Sequence, residues 1–251
     1  KITYIILYMN FNKNSKNIIE KDLVLLGAGH SNIEVLNQLG KKAIKGVRVT
    51  IINNRYEATY SGMIPSYIEG NYDWKDINID LPQLCSNYNH RLIISTINKI
   101  DIIEKKIIFK DRCPLEYDVL SINLGIKSDD KKIIGAGKFA LKLKPISNIK
   151  QNIEKLLEFN LKNPNNDIVL IGAGAAGVEV SLSLSSLFKK KNIMNKIILV
   201  SKNSDILKNY TSLGAKAIKK ELLKEKIKIY YNSEVTKITK NYLILNNKKK
   251  N

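Results

Sequence analysis

The sequence predicts an α/β protein built on two parallel sheets, each entered through a short apolar strand, a glycine-rich turn and a helix. Three observations carry this. Residues 22–40 read DLVLLGAGHSNIEVLNQLG and residues 167–180 read DIVLIGAGAAGVEV, so one strand–turn–helix pattern occurs twice. Each copy is followed by a further apolar, β-branched run, Val47–Ile52 after the first and Lys196–Val200 after the second. Strands that alternate with helical patterns in this way build βαβ units and parallel sheets.

The chain has 251 residues, enough for two modest domains with hydrophobic cores, and its apolar fraction of 44% is that of a globular protein. No apolar run reaches the roughly 18–20 residues of a membrane-spanning helix. The opening KITYIILYMN is too short for a signal sequence and does not begin with Met, so residues 1–20 are expected to be a disordered or non-native extension. The formal charge of +19 invites a nucleic-acid reading. Against it, the lysines are scattered among Asn and Ile, and the runs Lys189–Lys191 and Lys248–Lys250 carry no interleaved aromatics for bases to stack on. No nucleic-acid partner is expected. Cys85 and Cys113 lie far apart and match no metal or redox spacing, and His30 and His90 have no ligand cluster near them. A reducing, cytoplasmic setting without a bound metal follows as the expectation.

In the first copy, Leu23–Leu26 is a short buried-strand run, and Ile33, Leu36 and Gly40, widened by Val35 and Leu39, fall at helical spacing. Gly27 permits the sharp turn. Gly29 has no side chain to block a pyrophosphate, and Ala28, His30 and Ser31 place backbone at the helix start, where free N–H groups face negative charge. The third glycine of the dinucleotide fingerprint is missing, because Asn32 stands there. His30 reads equally well as a cofactor contact or as a solvated residue at the helix start. Where an acid normally holds a ribose hydroxyl, at the end of Val47–Ile52, the chain has Asn53 and Asn54. An amide can make that bond, and Asn53 can equally be an ordinary loop residue.

The second copy is complete, with Gly172, Gly174 and Gly177, and with Ala175 and Ala176 opening the helix. Val178, Leu182 and Leu187 mark its buried side. Glu179 is a candidate cofactor contact, or simply a carboxylate favoured by the helix dipole. Lys196–Val200 ends in Ser201 and Lys202 without an acid, and Lys202 suits a 2′-phosphate or reflects composition. NADH and NADPH therefore both stay open. Two fingerprints imply two dinucleotides, and the natural chemistry of that pair is hydride transfer from a nicotinamide to a flavin.

These residues resemble the two-dinucleotide-binding-domain flavoproteins, the pyridine nucleotide-disulfide oxidoreductase superfamily that includes type II NADH dehydrogenases and sulfide:quinone reductases. Beside the two turns, the segment from Tyr117 to Gly125, YDVLSINLG, looks like the point where such a chain leaves its FAD domain. A narrower likeness rests on GAGHSNIEVLNQLG, GVRVTIINNRYEATYSGMIPSYIEG, YDVLSINLG and LKLKPISNI. They resemble a branch fused in some organisms ahead of selenide, water dikinase (selenophosphate synthase). By that resemblance Gly62 and Met63 would approach the flavin, while the broader family likeness implies that hairpin-like strands around Ile93–Ile97 and Lys106–Phe109 belong to a small sheet.

The fold expected is thus α/β, with two Rossmann-type (FAD/NAD(P)-binding) parallel-sheet domains, C-terminally incomplete. Residues 21–125 are expected to form the FAD domain, 126–166 a connector with a helix over Ile149–Phe159, and 167–251 the NAD(P)H domain. In the latter, Leu213, Ala217 and Leu223 mark a helix before a strand at Ile227–Tyr231, with a last strand near Tyr242–Leu245. The resemblance implies FAD and NADH or NADPH as cofactors, and a quinone or a selenium or sulfur species as small electron acceptor. It also implies fusion or association with selenophosphate synthase and leaves peripheral membrane contact open. The alternative is a non-catalytic dinucleotide-binding regulatory module. The chain lacks the paired redox cysteines of the disulfide reductases and any Gly-Asp pair for a second flavin-contacting strand.

Overall fold

The structure, a computed structural model, describes residues 18–126 and 132–247. The expected extension over residues 1–20 therefore lies outside the described residues up to residue 17, as does the lysine run at 248–250. Contacts group the chain into two units: residues up to Ala58 with Asn78–Gly125, and Thr59–Ile77 with Ile126 onward.

The first unit opens on β1 (Lys21–Leu26), α1 (His30–Lys41) and β2 (Val47–Asn53), a βαβ unit. β1 and β2 pair in parallel from Lys21–Val47 to Leu26–Ile52. After β3 (Glu57–Thr59) the chain departs through residues 59–77, which carry α2 (Ile64–Ile68). It returns as β4 (Asn78–Asp80), α3 (Leu81–Asn87), β5 (Arg91–Ile94), β6 (Ile97–Asp101), β7 (Lys106–Phe109), β8 (Leu115–Glu116) and β9 (Val119–Ile122). The main sheet runs β5-β2-β1-β9, parallel throughout. Leu25, Leu36, Val49, Ile51 and Leu81 fill one face, and Val24, Leu26, Ile52, Ile93 and Phe109 the other. Burial on both faces is what continuous apolar strands of a parallel sheet require.

The hairpin expected from Ile93–Ile97 and Lys106–Phe109 is corrected. Arg91–Ile94 extends the parallel sheet against Thr50–Asn53, and the small antiparallel sheet is formed instead by Ile97–Asp101, β7 and β8, in the order β6-β7-β8. Ser95 ends the parallel run, its N–H donating to the Asn53 carbonyl at 3.0 Å.

The second unit continues with α4 (Ala136–Phe139), α5 (Ile149–Lys162), β10 (Ile168–Ile171), α6 (Ala175–Lys190), β11 (Ile197–Val200), α7 (Ser212–Lys224), β12 (Lys228–Tyr230), β13 (Ser233–Ile238) and β14 (Leu243–Asn247). Its parallel sheet runs β10-β11-β12, and β13 and β14 form a separate antiparallel pair. Both units thus share the 3-2-1 order at the heart of a Rossmann sheet, the first adding a fourth strand beside β1. The core gathers Ile168, Val178, Leu184, Leu199 and Leu222. Each fully buried side chain of this kind contributes about 1.5–3 kcal/mol.

Two features of this unit escape a reading by chain position. Ile64, Ile68 and Ile77 are buried in its core, so residues 59–77 pack here although they interrupt the first unit. In α7 the inward positions are Ala215 and Leu222, with Ile218 half-buried between them. The expected Leu213 and Leu223 are 79% and 61% exposed, because the buried stripe follows 215, 218 and 222 at helical spacing and their positions fall beside it. No helix among the described residues is long and apolar enough to cross a membrane.

Candidate dinucleotide-binding turns

Both glycine turns stand where β1 and β10 run out at their carboxyl ends, the place where open parallel sheets bind ligands. At the opposite end of the first sheet the charges are spent on structure. Arg48 grips Asp22 through two nitrogens at 2.6 and 2.8 Å, which raises the guanidinium pKa. Asp118 accepts from the Asp22 N–H at 2.7 Å and from Lys21 at 2.9 Å, and these bonds hold its carboxyl below the usual range.

In the first turn, Gly27 adopts φ +84°, a conformation that favours glycine, and its N–H donates to the Ile52 carbonyl at 2.8 Å. Gly29 is the extended N-cap of α1, and its N–H points at the Asn123 carbonyl at 3.3 Å. A Cβ on Gly29 would fall 1.5 Å from the Asn123 Oδ1, so that side chain, past the end of β9, covers the glycine. Asn32, the residue in the third fingerprint position, is fully buried. Its Nδ2 donates to the Leu26 carbonyl at 3.1 Å and the Gly27 carbonyl at 2.8 Å, and its Oδ1 accepts from Ser121 Oγ at 2.7 Å. Sequence reasoning saw a missing glycine. The structure shows an amide with three partners.

In the second turn, Gly172 has φ +106° and its N–H donates to the Val200 carbonyl at 2.9 Å. Nothing lies within 4 Å of a Cβ placed on Gly172 or Gly174. Gly177 is the opposite case, since its Cβ would stand 1.9 Å from the Gly172 carbonyl oxygen. Ala173 is buried, its carbonyl accepting from Leu207 N–H at 2.9 Å, which folds the loop after β11 back onto the turn.

The helices beyond these turns share an electrostatic feature. α1 and α6 begin at glycine N-caps with no side-chain cap and no acid in the first turn. Two other helices do carry a side-chain cap: Asp80 accepts from Gln83 N–H in α3 at 2.8 Å, and Thr211 from Gly214 N–H in α7 at 3.3 Å. α2, α4 and α5 have none, but do not follow a glycine turn at the end of a parallel strand. Neither glycine N-cap supplies a side-chain acceptor to the first turn that follows it, and a helix start without such a cap is suited to receive an anion.

The remaining candidates divide. Ala28 and Ser31 flank Gly29 and His30 is exposed at the helix start, while Ala175 and Ala176 open α6. Asn53 ends β2 and spends its Nδ2 on the Arg55 carbonyl at 2.9 Å. Gly125 is exposed past β9. Gly62 is exposed in the turn before α2, and half-buried Met63 packs on the second unit's core. Glu179 is exposed in the second turn of α6. Ser201 is buried, its hydroxyl donating to the Asn203 and Asp205 carbonyls at 3.2 and 3.1 Å. Lys202 is exposed beside it. Asp205, an acid unnoticed in the sequence, turns Oδ1 onto Ile206 N–H at 2.9 Å. Both cysteines are free thiols; Cys85 is buried, and burial pushes its thiol up to about 11, far from a reactive thiolate. No cluster fit for a metal ion occurs among the described residues.

Comparison with known proteins agrees with this geometry. The profile of the pyridine nucleotide-disulphide oxidoreductase family matches residues 21–250. The NADH dehydrogenase-like protein YutJ of Bacillus subtilis is 28% identical over 167 residues, covering 65% of this chain and 45% of its own. The fold is similar to that of NDH2 from Plasmodium falciparum in complex with NADH, with a TM-score of 0.74 at 20% identity over 88% of this chain and 50% of that one. It is also similar to the sulfide:quinone oxidoreductase of Aquifex aeolicus, with a TM-score of 0.77 at 19% identity over 90% of this chain and 54% of that one. The chain spans about half the length of these relatives.

Proposed function

We propose, on the premise that the chain belongs to the pyridine nucleotide-disulphide oxidoreductase family, that the complete protein is an FAD-dependent NAD(P)H oxidoreductase. The observation that carries this reading is the pair of uncapped, acid-free helix starts, each behind a glycine turn at the carboxyl end of a parallel sheet. A dinucleotide fits the second turn as it stands, and at the first the Asn123 side chain that covers Gly29 would have to turn aside. Gly27, Ala28, Gly29, His30 and Ser31 would hold the FAD pyrophosphate, with Asn53 near its ribose. Gly172, Gly174, Ala175 and Ala176 would hold that of NADH or NADPH, where the space a Cβ would fill is open, with Gly177 packing the helix close beneath. Lys202, exposed at the end of β11, would meet a 2′-phosphate, whereas buried Ser201 shapes the loop.

Bound flavin would supply a hydride acceptor for reduced nicotinamide, and the chain's own residues would supply orientation and fixed positive potential. With Cys85 held as a neutral thiol and no redox pair, the electrons would pass on to a small acceptor, a quinone or a sulfur or selenium species. The names of the relatives, an NADH dehydrogenase-like protein and a sulfide:quinone oxidoreductase, support that choice. Free cysteines fit a reducing, cytoplasmic setting.

The test is the visible spectrum of the complete protein under exclusion of air. A flavin band that bleaches on adding NADH or NADPH, and recovers with a quinone, is the expected result. A band that never bleaches would favour the regulatory module, for which linkage to selenophosphate synthase is the proposed context. Absence of any bound or reconstitutable flavin would defeat the reading.

A further inference from the structure

We infer that Asn32 is the positioning residue of the first turn: its side-chain amide sets the direction in which the Gly27–Ala28 peptide presents its N–H to an anion. The inference rests on the reading of that turn as the flavin site. Asn32 Nδ2 holds the Gly27 carbonyl at 2.8 Å from a fully buried position, so that oxygen faces the protein interior. In a planar trans peptide the carbonyl of one residue and the N–H of the next point in opposite directions. Fixing the Gly27 oxygen inward therefore fixes the Ala28 N–H outward. The second bond, to the Leu26 carbonyl, acts on the preceding peptide in the same way, and there the opposed Gly27 N–H meets the Ile52 carbonyl at 2.8 Å. Ser121 on β9 donates to Asn32 Oδ1 and so fixes the amide's own orientation, with Nδ2 toward the turn.

The second turn reaches the same end without a side chain. There the carbonyl of the first glycine, Gly172, lies against Gly177, so close that a Cβ would be 1.9 Å away. In both motifs the third position controls the first glycine's carbonyl. Where glycine lets the helix backbone close over that oxygen, Asn32 reaches it with a donor. The departure from the fingerprint is thus a replacement of function.

The experiment compares Asn32→Asp and Ser121→Ala with the parent, in the complete protein stripped of flavin and titrated with FAD. Asn32→Asp keeps the shape but replaces the donor by an acceptor facing two carbonyl oxygens. It is expected to weaken FAD binding roughly tenfold or more, the scale of an unmet buried hydrogen bond. Ser121→Ala leaves the donor in place and loosens its aim, with an expected loss of roughly two- to fivefold. At saturating FAD, the ³¹P resonances of the bound pyrophosphate are expected to shift in each variant while NADH affinity stays at the parent value. A merely structural role would leave the ³¹P positions unchanged. Parental FAD affinity and ³¹P shifts in Asn32→Asp would overturn the inference; should that variant fail to fold, unchanged ³¹P positions in Ser121→Ala would do so. A parent that binds no flavin would instead defeat the functional reading itself.

Discussion

The two glycine turns differ in what surrounds them more than in their sequence. Around the first, protein fills the space: Asn123 covers Gly29, its carbonyl lies 2.4 Å from where a Gly27 Cβ would be, and Asn32 is buried beneath. Around the second, Gly172 and Gly174 look into open space and only Gly177 is packed. The strands beside them account for this. β1 has a neighbour on each side, and β9 brings Ser121 and Asn123 to the turn. β10 has a partner only in β11 within its described sheet. The same glycine can therefore be required by the fold in one turn and by the ligand in the other, and substitution separates the two.

The largest effect on stability is expected at Gly177. An alanine there would place its methyl 1.9 Å from the Gly172 carbonyl oxygen, a backbone atom that cannot turn aside without moving the strand-to-helix connection. Overpacking of this sort costs typically about 1–3 kcal/mol. Gly177→Ala should lower the denaturant midpoint of the second unit, where half-buried Trp74, the single tryptophan, packs against the core as a fluorescent reporter. An unchanged midpoint would show that α6 packs more loosely on its turn than the geometry implies.

Gly174→Ala sharpens the comparison from the other side. The new methyl would meet nothing within 4 Å, and the backbone, at φ −78°, suits any residue. Stability should change by less than about 0.5 kcal/mol, as for surface substitutions in general. NADH affinity should nevertheless fall roughly tenfold or more, because the methyl would occupy the space proposed for the pyrophosphate. The counterpart in the first turn, Gly29→Ala, should instead cost stability without any ligand, since Asn123 already stands there. Calorimetry on the three proteins reads both quantities. Equal losses at positions 29 and 174 would break the distinction between the turns.

How much of this was legible in the sequence follows from how local each feature is. The strands and both turns were readable, because Leu23–Leu26, Val47–Ile52 and Lys196–Val200 are short apolar runs bounded by polar or glycine residues, and β1, β2 and β11 form there. Asn32 was not. Its role depends on Ser121, a partner 89 residues away, and a single sequence shows only that a glycine is absent. The same limit hid Asn123. The strand expected around Ile93–Ile97 divides between two sheets, because apolar periodicity gives a strand but not its partner: Arg91–Ile94 pairs with β2 and Ile97–Asp101 with β7. The packing of residues 59–77 with the second unit arises from isoleucines whose destination no local pattern encodes. Ser201 was read by position alone, and the loop that consumes its hydroxyl appears only once Asn203 and Asp205 fold back.

The smallest expected effect is a difference in acid response between the units. His90, in the first unit, contacts the Leu36 carbonyl through Nε2 at 3.1 Å, and burial holds its pKa below the ordinary value, outweighing that contact. In the second unit Glu225 accepts from Lys189 and Ser185, which hold its carboxyl below its ordinary value. Both folded values are depressed, so in both cases the unfolded chain binds the proton more readily and stability falls as pH falls. The windows differ. The His90 contribution is present above about pH 6.5 and is lost as pH drops through its lowered folded value. That of Glu225 is present above about pH 4.3 and is lost only below it. Urea titrations followed by hydrogen exchange, resolved by unit, should show the first unit weakening in mild acid while the second holds. His90→Gln should flatten the first response and Glu225→Gln the second. If His90→Gln leaves the mild-acid loss in place, another group carries it, and the two units are not distinguished by their buried titratable groups.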